Sequence, residues 1–405
     1  MKFEHLLAAR TLKIHDNAIR EILKVVSRPG MISLAGGIPA PESFPMEIMN
    51  GLSAAVIEKY GSGAFQYDLT EGFMPLREAL SVRLERKGVT ASPEEIIIAS
   101  GSQGFLDALG KVLITRGDRV AVEAPTYLGA ISAFNPYEPE YVRLETDEDG
   151  VVPESLERTL ASGSVKFVYL VPTFQNPTGR TIPLARRREI ARIIQTYDAL
   201  VIEDDPYSDL RYRGEAPPPV KSFAPDHVVY ISTLSKILAP GLRIGFCAAP
   251  PLIREWLVRV KQGTDLHTST FNQALAAEYL AGGHLERHLP GILALYRPRQ
   301  EAMLTAMAAC FPETIRWSRP EGGMFIWADA DGGVDMETVY QRAVARNTAF
   351  VPGRYFYAHD GEGRGAMRLN FTLAEAEEIR RAVKILGEEI DWASQKKSGS
   401  VSEMS

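Results

Sequence analysis

VVYISTLSKILAPGLRIGF, residues 228–246, is the stretch that decides the fold. It opens on an unbroken β-branched and aromatic run, Val228–Ile231, and then turns abruptly polar. An apolar run without alternation suits a strand buried on both faces, as in a parallel sheet covered by helices. Ligands of such sheets sit at the carboxyl ends of the strands. Thr233, Ser235, Lys236 and Arg243 therefore stand where a ligand would be met. A lysine in a partly desolvated cleft has its pKa pulled down and becomes a nucleophile toward carbonyl carbon.

Working outward, five more runs have the same character: EEIIIAS (94–100), DRVAVEAP (118–125), KFVYLVP (166–172), ALVIEDD (199–205) and RIGFCAA (243–249). Helix-period segments such as FLDALGKVLI (105–114) and LARRREIARIIQTYDA (184–199) separate them. The pattern predicts an α/β fold, with a large domain built on a mostly parallel sheet covered by helices. Past residue 290 the pattern changes. A long helical segment, LPGILALYRPRQEAMLTAMAACF (289–311), leads into short apolar runs at 322–330, 349–356 and 366–372. That order predicts a smaller α+β domain, with the loop-rich first 50 residues docked on it. The expected division is a large domain at 51–290, a small domain from 1–50 and 291–392, and a disordered polar tail at 393–405.

The chain has 405 residues, enough for two lobes. A net charge of -6 argues against a nucleic-acid partner. No apolar run approaches the ~18 residues that span a membrane. MKFEHLLAAR (1–10) carries Glu4 and His5 where a signal peptide needs apolar residues. Cys247 and Cys310 are far apart and form no CxxC, which suits free thiols in a reducing, cytoplasmic setting.

The remaining strand ends carry the rest of the chemistry. After EEIIIAS comes GSQG (101–104), then a helix. Backbone N–H groups at such a turn form an anion site, and Ser102 and Gln103 add donors. Alone, the motif is equally an ordinary capped turn. GxGxxG is missing, and so is a Walker A loop. Tyr127 follows DRVAVEAP, where its ring would face the cleft and could stack on a flat heteroaromatic ligand; taken alone, it reads better as a core tyrosine. TFQNPTG (173–179) is a turn; it is either only that, or a turn that aims the Asn176 amide into the same cleft. Asp204 ends another run, with Tyr207 close behind. A carboxylate buried there needs a cation, and a ligand's protonated ring nitrogen would serve. Thr233, Ser235 and Arg243 complete a phosphate cage with Ser102 and Gln103. A phosphate, a flat ring, a ring nitrogen that wants an acid, a ring hydroxyl and an aldehyde that wants a lysine are the parts of pyridoxal 5'-phosphate (PLP).

On these pieces the chain resembles the fold-type I PLP-dependent aminotransferases of class I and II, from about Ile14 to about Ile390. The matching segments are GSQ (101–103), APTY (124–127), QNPTG (175–179), EDDPY (203–207), STLSK (232–236), GLRIGF (241–246) and MRLNF (367–371). IREILKVVSRPGMISLAGGIPAPESFP (19–45) and KQGTDLHTSTFNQ (261–273) look like the branch that holds the α-aminoadipate, kynurenine, branched-chain and aromatic aminotransferases. The resemblance implies Lys236 as Schiff-base lysine and proton shuttle, and Asp204 as partner of the ring nitrogen. It implies Asn176 and Tyr207 on the ring oxygen and Tyr127 stacked on the ring. Ser102, Gln103, Thr233, Ser235 and Arg243 would hold the phosphate. Tyr67 would reach the phosphate of a neighbouring subunit, so a homodimer with active sites at the interface is expected. Arg368 would clamp the substrate α-carboxylate, with backbone room beside it at Gly37. Arg20, with Asn17 one turn earlier, would meet the distal carboxylate of 2-aminoadipate or glutamate. The expected reaction is transfer of an amino group to a 2-oxo acid, 2-oxoglutarate, by a ping-pong route.

Two other readings remain open at this stage. One is a PLP-dependent lyase or decarboxylase, which would form product without a 2-oxo acid. The other is the PLP-binding domain of a transcription regulator, which would need a winged helix ahead of MISLAGG (31–37). His284 and His288 stand i,i+4 in GHLERH, but the glutamate is misplaced for HExxH and no metal is expected.

Overall fold

The computed structural model describes residues 3–14, 25, 28–330 and 333–402. Asn17 and Arg20 lie outside them.

Seven strands form the main sheet: β1 (Ile96–Ser100), β2 (Arg119–Glu123), β3 (Glu140–Leu144), β4 (Val165–Leu170), β5 (Val201–Asp204), β6 (Val228–Thr233) and β7 (Ile244–Ala248). Their order is β1-β7-β6-β5-β4-β2-β3. All neighbours are parallel except β7, which runs antiparallel to both β1 and β6. The six apolar runs all become strands. β3, an edge strand with half-exposed residues, lacks the apolar signature that marked the others.

Both faces of the sheet are covered. Ile97, Val122, Phe167, Tyr169, Ile202, Val229 and Ile231 pack against the helices Ser102–Leu113 and Leu128–Phe134. Val168, Leu170, Val201 and Val228 point the other way, onto the helix Leu184–Thr196. Every residue of β6 is buried. Each such Val or Ile contributes roughly 1.5–3 kcal/mol, so the strand ends project from a rigid platform.

A second sheet, all antiparallel, contains β8 (Arg316–Trp317), β9 (Phe325–Asp329), β10 (Val351–Pro352) and β11 (Ala366–Asn370), in the order β8-β9-β11-β10. It packs with the helices His284–Cys310, Met336–Ala345 and Ala376–Ser402 around a core that includes Met303, Ile326, Val339, Leu369 and Leu386. Leu34 links the N-terminal segment to this core. Its N–H donates to Ala349 O (2.8 Å), and its carbonyl accepts from Asn370 N–H (2.7 Å). Residues 35–38 are thereby held against the main sheet's cleft. The last helix continues to Ser402, into the stretch that composition assigns to a tail; no proline interrupts it. Cys247 is buried in β7 and Cys310 is half-buried, both as free thiols. Among the described residues, no helix is long and apolar enough to cross a membrane.

Candidate active site

The carboxyl ends of β1, β2, β4, β5 and β6 open onto one cavity of about 310 Å³. β7 runs backwards, so its beginning lies at the same edge, and Arg243 joins residues from the other strands' ends. Gly37, Ser102, Gln103, Tyr127, Asn176, Asp204, Tyr207, Thr233, Ser235, Lys236, Arg243 and Arg368 all line it. Tyr67 does not. It is 76% exposed, with its ring edge-on to His267. Ala35, Gly36, Ile38, Leu128, Val171 and Pro206 complete the wall and carried no signal of their own in the sequence.

At one end the groups suit an anion. Gly101 adopts φ +86°, which only glycine holds cheaply. A Cβ there would lie 2.1 Å from Arg243 Nη2. One on Gly245 would strike the Gly101 carbonyl carbon at 2.4 Å. The two glycines let the arginine and the start of the helix Ser102–Leu113 close around the same space, where that helix presents its first, unpaired N–H groups. The Arg243 guanidinium also donates to Ser100 O (3.2 Å). Two neighbours are committed to the protein. Gln103 Nε2 donates to Gly129 O (2.7 Å), and the Thr233 hydroxyl donates to Ile244 O (2.8 Å). Thr233 Oγ1 then accepts from Ser235, whose hydroxyl is 2.8 Å away. Rotating that single hydroxyl turns a donor toward the cavity.

Asp204 ends β5 at the cavity and is 2% exposed. Its Oδ2 accepts from the Tyr169 hydroxyl at 2.8 Å, while its Oδ1 is buried with no partner. Burial pushes its pKa up to about 7; the Tyr169 hydrogen bond works against that rise and neighbouring Asp205 adds to it. The free oxygen asks for a cationic N–H. Tyr169 is a functional contact that sequence reading missed. The one available signal was a tyrosine inside a wholly apolar strand, whose hydroxyl must find an acceptor.

Lys236 Nζ donates to Gly37 O at 2.9 Å. Burial, then the charges of Arg368 and Arg243, draws its pKa down to about 8. About a tenth of the amine is thus unprotonated at pH 7, far more than for an ordinary lysine. Tyr127 begins the helix Leu128–Phe134 and, with its pKa pushed by burial to about 12, keeps its proton.

Arg368 sits in the middle of β11, paired with Trp327 on one side and Val351 on the other. Its Nη1 donates to Asn176 Oδ1 (2.8 Å) and its Nη2 to Ala35 O (2.6 Å). The guanidinium lies 4.2 Å from the ring centre of Phe325 and 4.9 Å from that of Phe356. Its Nε is buried without a partner. Burial lowers its pKa to about 10, so it remains cationic at neutral pH. Asn176 continues the chain, because its Nδ2 donates to the Tyr207 hydroxyl at 3.1 Å. The amide therefore couples the arginine to a phenol on the cavity wall.

The residues fit PLP. There are donors for a phosphate, an unpartnered buried carboxylate oxygen for a pyridinium, a phenol and an amide for a ring oxygen, and an amine with lowered basicity. On this sheet such a set defines a PLP-dependent transferase of fold type I, and the cofactor is PLP. The chain belongs to the class I and II aminotransferases, whose family model matches residues 46–386. It is 44% identical to aromatic-amino-acid aminotransferase 1 of Thermococcus litoralis over 397 residues, covering 96% of this chain and 95% of that one. The crystal structure of a multiple substrate aminotransferase from Thermococcus profundus superposes with a TM-score of 0.93 at 42% identity, covering 98% and 100% of the two chains. An α-aminoadipate aminotransferase of Thermus thermophilus, solved with N-(5'-phosphopyridoxyl)-L-leucine, superposes with a TM-score of 0.90 at 36% identity, covering 97% and 99%. The protein is thus an aminotransferase that acts on small molecules.

Among the described residues no group of three potential metal ligands converges. His288 Nδ1 is instead bonded to the Tyr279 hydroxyl at 2.8 Å.

Proposed function

We propose that the chain moves the amino group of an L-amino acid (2-aminoadipate, glutamate, a branched-chain or an aromatic one) to 2-oxoglutarate, in two half-reactions that share one site. The carrying observation is the buried, unpartnered Asp204 Oδ1 in the same cavity as an amine whose pKa is near 8. PLP, when bound, supplies an aldehyde that captures the amino group and a protonated ring that draws electrons from the substrate Cα. Asp204 Oδ1 accepts the ring N–H and keeps that nitrogen protonated. Lys236 Nζ takes the Cα proton as base and returns it as acid. Arg368 receives the α-carboxylate on its fork, with Asn176 fixing one arm and Gly37 leaving backbone room. Asn176 and Tyr207 orient the ring oxygen, and Tyr127 covers the ring. Ser102, Ser235 and Arg243 hold the phosphate, with Gln103 and Thr233 beside them.

In this reading residues 51–290 are the cofactor-binding domain, and 1–50 with 291–392 the smaller domain that brings Arg368. Phe65, at the end of a short 3-10 helix, and Tyr67 and Leu69 in the loop after it are 68%, 76% and 58% exposed. That apolar surface supports a homodimer in which Tyr67 serves the partner's phosphate. Arg20 would meet a distal carboxylate. The free thiols support a cytoplasmic setting.

The test is a steady-state matrix of donor against 2-oxoglutarate. Parallel double-reciprocal lines are expected, with no more than one equivalent of product per site in the absence of acceptor. Sustained turnover without acceptor would move the chemistry to a lyase or decarboxylase.

A further inference from the structure

From the contact between β4 and β5 we infer that Tyr169 is a positioning residue for PLP: its hydroxyl pins one oxygen of Asp204 so that the other is fixed on the cofactor's ring nitrogen. This rests on Asp204 as the partner of that nitrogen.

The geometry begins with register. Tyr169 on β4 stands beside Ile202 on β5, and Asp204 is two residues further along on the same sheet face. The phenol, fully buried, reaches diagonally and donates to Oδ2 at 2.8 Å. The ring itself cannot drift. It meets Phe134 edge-on at 6.0 Å, and Phe134 rests on Phe167 at 5.4 Å. Burial and the adjacent Asp204 hold the Tyr169 pKa well above its ordinary value, so the proton stays on the phenol and Tyr169 is the donor.

A carboxylate can rotate about its Cβ–Cγ bond. Anchoring Oδ2 stops that rotation and leaves Oδ1 as the one oxygen free in the cavity. The same hydrogen bond favours the charged form of Asp204 against a burial penalty that favours the neutral one. Without it, Oδ2 would be a buried acceptor without a donor, and Asp204 would hold its own proton more tightly. Both changes weaken the hold on a pyridinium. Tyr169 is not among the residues that line the cavity; it acts through Asp204.

The test is a double-mutant cycle read on PLP affinity, by titrating the apo-chain of wild type, Tyr169→Phe, Asp204→Asn and the double variant. Phenylalanine keeps the packing on Phe134, and the thermal midpoint of each apo-chain is recorded as a control. Tyr169→Phe is expected to weaken PLP binding by roughly 10–100-fold, the scale of one hydrogen bond to a charged group. In the Asp204→Asn background the same change should cost less than about threefold. Replacing Tyr169 by 4-aminophenylalanine, which keeps a donor at that place, should restore most of the affinity. An equal loss in both backgrounds, no loss in wild type, or no rescue by the amino analogue overturns the inference. If Asp204→Asn itself leaves PLP affinity unchanged, the underlying reading of Asp204 has failed instead.

Discussion

Replacing Arg368 by lysine keeps one positive charge and removes a fork. The arginine is 5% exposed, donates to Asn176 and Ala35 through separate nitrogens, and lies between the rings of Phe325 and Phe356. Lysine can supply one compact ammonium, with no second arm and no flat face for the rings. A lost charge-assisted hydrogen bond costs about 1.5–3 kcal/mol. The lost stacking on two desolvated rings adds about 0.5–2 kcal/mol. Together they imply a fall in kcat/KM for an amino acid of roughly 30- to 4,000-fold. The assay is single-turnover consumption of glutamate by the PLP-loaded chain, with PLP affinity measured in parallel. Affinity for PLP should stay within about threefold of wild type, because the fork serves substrate. A variant that keeps kcat/KM for glutamate within threefold would refute the role given to the fork. A variant that loses PLP as well would place Arg368 in the cofactor site.

Lys236→Met should raise the thermal midpoint of the apo-chain at pH 7, since it removes a buried amine whose pKa falls from 10.5 to about 8. The unfolded chain binds the extra proton between those values, so wild-type stability gains with pH across that window and the gap to Lys236→Met should close there, at about 1.4 kcal/mol per pKa unit; a gap that is constant with pH contradicts it. Gly101→Ala should weaken PLP by roughly tenfold or more, because alanine is strained at φ +86° and its Cβ would displace Arg243; unchanged PLP titration would show that the arginine has room to move. Phe65→Asp should halve the sedimenting mass and depress turnover, and an unaltered sedimentation profile would remove the dimer surface from this segment.

What the sequence made legible follows from where physical constraints are local. β6 could be read because all six of its residues are buried, leaving an unbroken apolar signature. The site residues could be read because sheet logic sends attention to the strand ends, and twelve residues named on that basis or from family likeness line one cavity. β3 escaped because an exposed edge strand has no such signature. Tyr169 escaped because inside an apolar strand it looks like core until its neighbour on β5 is known. The Phe325 and Phe356 sandwich around Arg368 joins residues from distant segments, and nothing in local pattern announces it. Gln103 and Thr233 show the opposite effect. Both line the cavity, yet one Gln103 Nε2–H is spent on Gly129 and the Thr233 hydroxyl on Ile244, which only the tertiary arrangement reveals.

The measurement that tests the account most directly is an absorbance spectrum of the PLP-loaded chain before and after a single addition of 2-aminoadipate, glutamate, leucine or kynurenine. The account expects the donor to convert the band of the aldehyde-derived cofactor to that of its amine form, and 2-oxoglutarate to restore it. A band that no donor converts, or a conversion that 2-oxoglutarate does not reverse, would contradict amino-group transfer through this site.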